Sequence, residues 1–124
     1  MKGNANVIAS LNGLLHNELA AIDQYFTHSR MYQDWGLDKL YEQLDHEMKE
    51  EITHADALIK RILFLEGTPN LKDRRDLIIG NDVTSMLKND LVLEMEVVGA
   101  LKASITLCEN EGDFQSREIL EKLL

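Results

Sequence analysis

The chain has 124 residues, enough for one domain around one core, and hydrophobic residues make up 44% of it. A single proline and few aromatics argue against a β-sandwich, and the abundance of Leu, Ala, Glu, Lys and Met favours helix. The formal net charge of −9 leaves no basic patch to meet phosphates, which argues against nucleic acid as a partner; a negative field attracts cations instead. Cys108 is the only cysteine, so no intrachain disulfide can form, and a reducing cytoplasm is the expected location. The opening MKGNANVIASLNGLL has no continuous apolar run of the kind a signal peptide needs, and no stretch is long enough to cross a bilayer, so no membrane association is expected.

In chain order, helical periodicity predicts a first helix over about residues 4–34, closed by Gly36. A second runs over about residues 37–66, stopped by Gly67 and Pro69. NLKDRRDLIIGND then reads as a long connection, with its DRRD run (Asp73 to Asp76) a solvated loop. Asn81 or Asp82 caps a third helix over about residues 82–110, and Asp113 caps a short fourth, DFQSREILEKLL. Short loop, long loop, short loop is the connectivity of two antiparallel helix pairs joined by one crossover. The expected fold is therefore all-α: a single domain over residues 1–124, an antiparallel four-helix bundle whose fourth helix is too short to match its partners.

Each long helix carries an apolar line at alternating spacings of three and four. The lines are Ile8, Leu11, Leu15, Glu18, Ile22 and Tyr25; then Leu44, Met48, Glu51, Ala55, Leu58, Ile62 and Leu65; then Leu87, Leu91, Glu94, Val98, Leu101, Ile105 and Cys108. Each line has one charged member, and each time it is a glutamate. His54 lies one helical turn from Glu51 and points to nearly the same side. A carboxylate in an apolar core is costly to keep ionised, and three of them repel one another unless something positive sits between them. The seams hold no Lys or Arg, so either the glutamates are protonated or a metal binds. Carboxylate oxygens with an imidazole nitrogen suit iron, manganese or zinc. The plainer alternative is a bundle with neutral core glutamates and no metal.

Three segments, GLLHNELAAIDQYFTHSRMYQDWG, HEMKEEITHADALIKRILFLEGTPNL and IGNDVTSMLKNDLVLE, resemble a bacterioferritin or close bacterial ferritin. The resemblance implies a ferritin-like bundle and a cytoplasmic homo-oligomeric shell of twenty-four subunits. It implies a ferroxidase that oxidises Fe(II) with oxygen or peroxide at a dinuclear iron site and stores the ferric mineral. By matching motif, Glu18 in HNEL and Glu51 with His54 in EEITH hold one iron, Glu51 bridges to the second, and Glu94 in LVLE ligates that second iron. Tyr25 in DQYF matches the family's tyrosine beside the site.

Two departures qualify the resemblance. Bacterioferritins place a haem-clamping methionine after the bridging glutamate; here that residue is Ile52, which has no sulfur for iron, so haem is not expected and the likeness is to a haem-free ferritin. The family also continues with a second Glu-x-x-His on its fourth helix, which is not found before Leu124. The expectation is a compromised centre, with a non-catalytic subunit or structural helical oligomer holding at most one metal as the alternative. His46 and Glu50, at i and i+4, are read as a solvated helix face with possible accessory iron binding. Met48 and Met31 are expected to be interface packing residues, Trp35 to pack at a helix end or make a subunit contact, His16 and His28 to be surface residues, and Cys108 a small buried hydrophobe.

Overall fold

In a computed structural model, which describes residues 2–124, the chain forms α1 (Ala5–Asp34), α2 (Asp38–Phe64), α3 (Val83–Asn110) and α4 (Phe114–Leu123). The helix starts follow side-chain chemistry. Asn4 Oδ1 accepts from the backbone N–H groups of Asn6 and Val7 at 2.8 and 3.2 Å, satisfying two donors that the first turn of α1 leaves free. Asp82 and Ser85 form a reciprocal capping box on α3, and Asp113 accepts from the Ser116 N–H on α4. The helix ends are equally local. Gly36 and Gly112, both at φ +75°, take the left-handed position after α1 and α3.

The end of α2 is built differently from the ends of α1 and α3. The left-handed residue is Glu66, at φ 63°, with Gly67 N–H donating to the Ile62 carbonyl at 2.9 Å. Gly67 serves a different need: a Cβ there would sit 2.7 Å from Ile8, so the glycine lets the end of α2 press onto α1.

The cross-links fix the topology. Gly3 N–H donates to the Leu65 carbonyl, and Arg30 pairs with Asp45, so α1 and α2 run antiparallel. Ser10 meets Ser104 at 2.7 Å and Gln24 meets Asp90 at 2.9 Å, so α1 and α3 also run antiparallel. Residues 65–82 cross over between α2 and α3, which therefore point the same way. The helix α1 packs closely against both; the α2 and α3 backbones stand further apart, and α4 lies on α3 with a smaller contact to α2. The four helices make an all-α bundle in which α4 covers only one end.

The main core joins Leu11, Leu15, Leu58, Ile62, Leu101, Cys108 and Leu120, all almost fully buried. Burying a leucine or isoleucine side chain of this kind contributes about 1.5–3 kcal/mol. Burial pushes the Cys108 thiol up to about 11, which keeps it an unreactive protonated packing residue. A second cluster, Ala21, Tyr25, Met48 and Leu93, lies further along the bundle toward the α1–α2 turn.

The first two seams are largely inside, but α3 is rotated from the predicted line. Its buried residues are Met86, Asp90, Leu93, Val97, Leu101, Ser104 and Cys108, whereas Leu87 and Leu91 are 51% and 61% exposed. The apolar line exists, but its first half faces an open cleft between α2 and α3, beyond the reach of the ten residues of α4. Hydrogen bonds to Asp90 and Ser104 select the side that meets α1. His28 is also a correction: it is fully buried rather than a surface residue, because its ring joins this polar contact. His16 is half-buried and hydrogen-bonds the Asp73 carbonyl at 3.0 Å. Within the exposed crossover, Arg75 pairs with Glu96 at 2.6 Å. Trp35 is 43% exposed and meets the Tyr32 ring edge-on.

A buried cation holds α4 in place. Arg61 is 8% exposed; its Nε donates to Ser116 Oγ at 2.8 Å and its Nη2 to Asp113 Oδ1 at 3.1 Å. Burial pushes the Asp113 carboxyl up, but Ser116 and Arg61 outweigh that and hold it below its ordinary 3.8. Arg61→Met strands Asp113 without its cation, and breaking a buried pair in this way is expected to cost about 3 kcal/mol. The loss should appear as a lower melting temperature and as selective loss of amide-exchange protection in α4. Unchanged protection in α4 would show that its apolar contacts suffice.

Candidate metal centre

The centre is assembled from the middle turns of α1 and α2. Glu18 sits halfway along α1 and is 1% exposed; Glu51, on the facing side of α2, is 4% exposed. His54 follows Glu51 by one turn, which brings its ring over both carboxylates. Its Nδ1 lies 3.4 Å from Glu51 Oε2 and 3.7 Å from Glu18 Oε2. Neither of these carboxylate oxygens, each buried, has a hydrogen-bond partner.

Such a pair is unusual, because buried carboxylate oxygens are normally satisfied. Desolvating each ion costs several kcal/mol, and one imidazolium cannot neutralise two carboxylates. The donor atoms of Glu18, Glu51 and His54 all lie within 4.8 Å of one another. Ligands bound to one metal at about 2.1 Å can be at most about 4.2 Å apart, so the 3.4 and 3.7 Å separations already fit a single ion. Two hard oxygens and one imidazole nitrogen make a donor set suited to iron, manganese or zinc.

Glu94 and Tyr25 stand beside this cluster rather than in it. The Tyr25 hydroxyl donates a short hydrogen bond to Glu94 Oε2. Desolvation, then the Glu94 hydrogen bond and the charges of Glu94, Asp90 and Glu47, push the Tyr25 phenol above its ordinary 10.0, so it keeps its proton. Glu94 is half-buried, and desolvation raises its carboxyl above 4.5, aided by Glu51 and Glu47 and opposed by Tyr25. The two residues line an open cleft of about 360 Å3 with Gln43, Leu44, Glu47, Asp90 and Leu91. For His54, contact with the Glu51 carboxylate outweighs desolvation and raises the imidazole above 6.5.

The remaining sequence candidates lie apart. His46 and Glu50 pair at 3.1 Å on an open face of α2, with side chains 69% and 55% exposed. Ile52 is 48% exposed on α2. Met48 is buried with Tyr25 and Leu93, and Met31 is half-buried. Sequence reasoning missed Glu47, Asp90 and Gln24. Glu47 and Asp90 precede Met48 and Leu91, which were read as seam residues, so the apolar neighbour masked the polar one in each case. The spacing of Asp90 to Glu94, one helical turn, was the available signal.

Fold and cluster together define a four-helix protein with a buried carboxylate–histidine cluster that could hold a metal ion. The chain belongs to the ferritin family, whose ferritin-like domain matches residues 8–124. It is 55% identical, over its whole length and 80% of the relative's, to a bacterial ferritin of Synechocystis sp.. It is 61% identical to a bacterial ferritin of Paramagnetospirillum magnetotacticum over 88% of this chain and 66% of that one. A bacterioferritin of Brucella melitensis is 41% identical over the whole of this chain and 77% of the relative.

The raised Glu94 carboxyl gives the metal-free protein a defined pH response. The fold binds that proton more tightly than the unfolded chain, so the contribution to stability is full below about pH 4.5 and is lost as pH rises through the folded-state value. His54 acts in the same direction above 6.5. The lowered carboxyls of Asp45, Asp82 and Asp113 act oppositely, losing their contribution only as pH falls below about 3.8. Metal-free protein is therefore expected to melt at lower temperature as pH rises from about 5 to about 8, and Glu94→Gln should flatten that slope. A melting temperature that climbs through this window, or a slope that Glu94→Gln leaves intact, would contradict the assignment of Glu94.

Proposed function

We propose that the chain is an iron-handling ferritin subunit that binds Fe(II) at Glu18, Glu51 and His54 and presents it for oxidation to Fe(III), which is then stored as mineral. The observation that carries this reading is the pair of buried, unpartnered carboxylate oxygens facing one imidazole nitrogen across two helices. The bacterial ferritin and bacterioferritin names of its relatives agree with it.

Iron is the substrate in this reading, and oxygen or peroxide accepts the electron that each Fe(II) gives up. The protein's part is electrostatic. Two carboxylates in a poorly solvated seat favour Fe(III) over Fe(II), because each added unit of metal charge interacts more strongly with them. Glu51, whose charge acts on Glu94, is in this reading the bridge to a second iron, and Glu94 is that iron's carboxylate. Tyr25 holds its proton and orients Glu94 through their hydrogen bond. His46 and Glu50, on their open face, are an accessory stop for iron in transit. Ile52 offers no axial ligand, so haem has no place at that position. Exposed Ile52, Leu63, Leu91 and Met95 suit burial between copies in a homo-oligomeric shell.

A second reading has its own observation. The cluster comprises three ligands, and Glu94 is turned toward Tyr25 and an open cleft, so residues 2–124 by themselves make a seat for one ion. A subunit restricted to that seat binds one metal weakly and adds little to oxidation until another segment or a second chain supplies a further carboxylate and imidazole.

Stopped-flow mixing of Fe(II) with the protein in aerated buffer separates the readings. Slow, iron-dependent oxygen uptake is expected, reduced by about tenfold or more in Glu18→Gln and Glu51→Gln. Adding a fourth-helix segment that carries Glu-x-x-His should accelerate it. No oxygen uptake above the protein-free rate, with or without that segment, would support the non-catalytic reading.

A further inference from the structure

A second buried polar cluster lies next to the centre and contains none of its proposed ligands. His28 is fully buried, Gln24 is 3% exposed and Asp90 is 9% exposed. Asp90 Oδ1 lies 2.9 Å from both His28 Nδ1 and Gln24 Nε2. The other ends of the two α1 side chains reach the crossover. Gly80 N–H donates to His28 Nε2 at 3.1 Å, and Ile78 N–H donates to Gln24 Oε1 at 3.2 Å.

These bonds fix the chemistry of each member. Because Nε2 of His28 accepts a hydrogen bond from the Gly80 N–H, the ring's own N–H sits at Nδ1 and donates to Asp90 Oδ1. Gln24 does the same with its amide, accepting from Ile78 and donating to Asp90. One carboxylate oxygen thus collects two donors from α1, and each of those residues also holds the crossover backbone. Gly80 fits because the loop is tucked tightly there: a Cβ would stand 2.6 Å from the Met86 nitrogen.

The location gives the cluster its consequence. Asp90 precedes Glu94 by one turn on α3, and Gln24 adjoins Tyr25, the donor to Glu94, on α1. The helix α3 also has two candidate faces. One carries Leu87, Leu91, Glu94 and Val98; the other carries Met86, Asp90, Leu93 and Val97. They differ by one residue, a rotation of about 100° at 3.6 residues per turn. Apolar content alone favours the first face. The structure adopts the second, with Leu91 exposed and Asp90 buried against α1.

We propose that His28, Gln24 and Asp90 are positioning residues that select this rotation of α3 and so place Glu94 against Tyr25 at the rim of the metal seat. Asp90 Oδ2 is buried without a hydrogen-bond partner, so Oδ1 carries the whole contact, and a rotation of α3 that withdrew it would leave His28 Nδ1 and Gln24 Nε2 unpaired as well. The part of the proposal that concerns metal rests on the ferritin reading above; the part that concerns the Tyr25–Glu94 bond does not.

The test compares Asp90→Asn, which keeps an acceptor oxygen for both donors but removes the charge, with Asp90→Ala, which removes the acceptor. Two quantities are read in the full chain with helix content checked: the Tyr25 ring-carbon Cζ chemical shift in metal-free protein, and Co(II) affinity by titration. Asp90→Ala should move the Tyr25 signal and weaken Co(II) binding about tenfold, while Asp90→Asn leaves both near wild type. Should Asp90→Ala fail to fold, His28→Leu and Gln24→Leu each remove a single donor and are expected to move the Tyr25 signal in the same direction, with His28→Gln restoring it. Equal effects of Asp90→Asn and Asp90→Ala would mean that charge, not positioning, is at work and would overturn the proposal. An unmoved Tyr25 signal in Asp90→Ala, or in both leucine variants, would overturn it as well. A wild-type chain that binds no Co(II), or a Tyr25 shift without a change in affinity, would count against the role given to the metal ligands while upholding the positioning of Glu94.

Discussion

Two carboxylates, Glu18 and Glu51, are held out of water on facing helices with one imidazole between them. Like charges at this depth repel, and desolvation penalises each of them further. A fold that keeps such a pair must hold α1 and α2 together by other means. Nearly all of the described structure supplies those means. The leucine-rich core lies toward one end of the seat, and Ala21, Tyr25, Met48 and Leu93 lie toward the other. The tight α1–α2 turn at Gly36 and the Gly3–Leu65 backbone bond secure the two ends of the helix pair. The unfavourable burial of Glu18 and Glu51 is thus offset elsewhere, as the proposed cation seat requires.

The central position of α1 follows from the same demand. It packs extensively along both α2 and α3, whereas α4 meets α2 only at one end, so it carries Glu18 toward the first and Tyr25 and Gln24 toward the second. The helix α3 approaches through polar contacts instead of its most apolar line, leaving Leu87 and Leu91 on the cleft. That choice keeps Glu94 at the edge of the seat, half-buried, where desolvation and neighbouring acids raise its carboxyl. Arg61 performs the matching task at the opposite end, tying α4 to α2 through Asp113 and Ser116.

Much of this is legible in sequence, for reasons that differ by residue. Asp82 and Asp113 announce helix starts because a side-chain oxygen one residue before a helix has a single obvious use. Glu18 and Glu51 stand out because an apolar line with one acid in it has no plain packing explanation. The rotation of α3 is not legible that way. Hydrophobic periodicity identifies an apolar face but not which neighbour covers it, and the bonds that decide between adjacent faces come from α1 and the crossover, distant in sequence. His28 looked like a surface residue for the same reason: a polar residue on a helix reads as solvated until its partners are known. Glu66 in the left-handed position shows the limit of residue-type rules at a turn, since Gly67 beside it was needed for close packing against Ile8.

The central claim, that buried carboxylates on α1 and α2 exist to seat a cation, is tested most directly by anomalous diffraction from crystals of the chain soaked in Fe(II) under anaerobic conditions. An anomalous peak is expected between Glu18, Glu51 and His54, about 2.0–2.2 Å from the carboxylate oxygens and Nδ1. Metal confined to exposed acids such as His46–Glu50, with nothing between Glu18 and Glu51 at saturating iron, would contradict it.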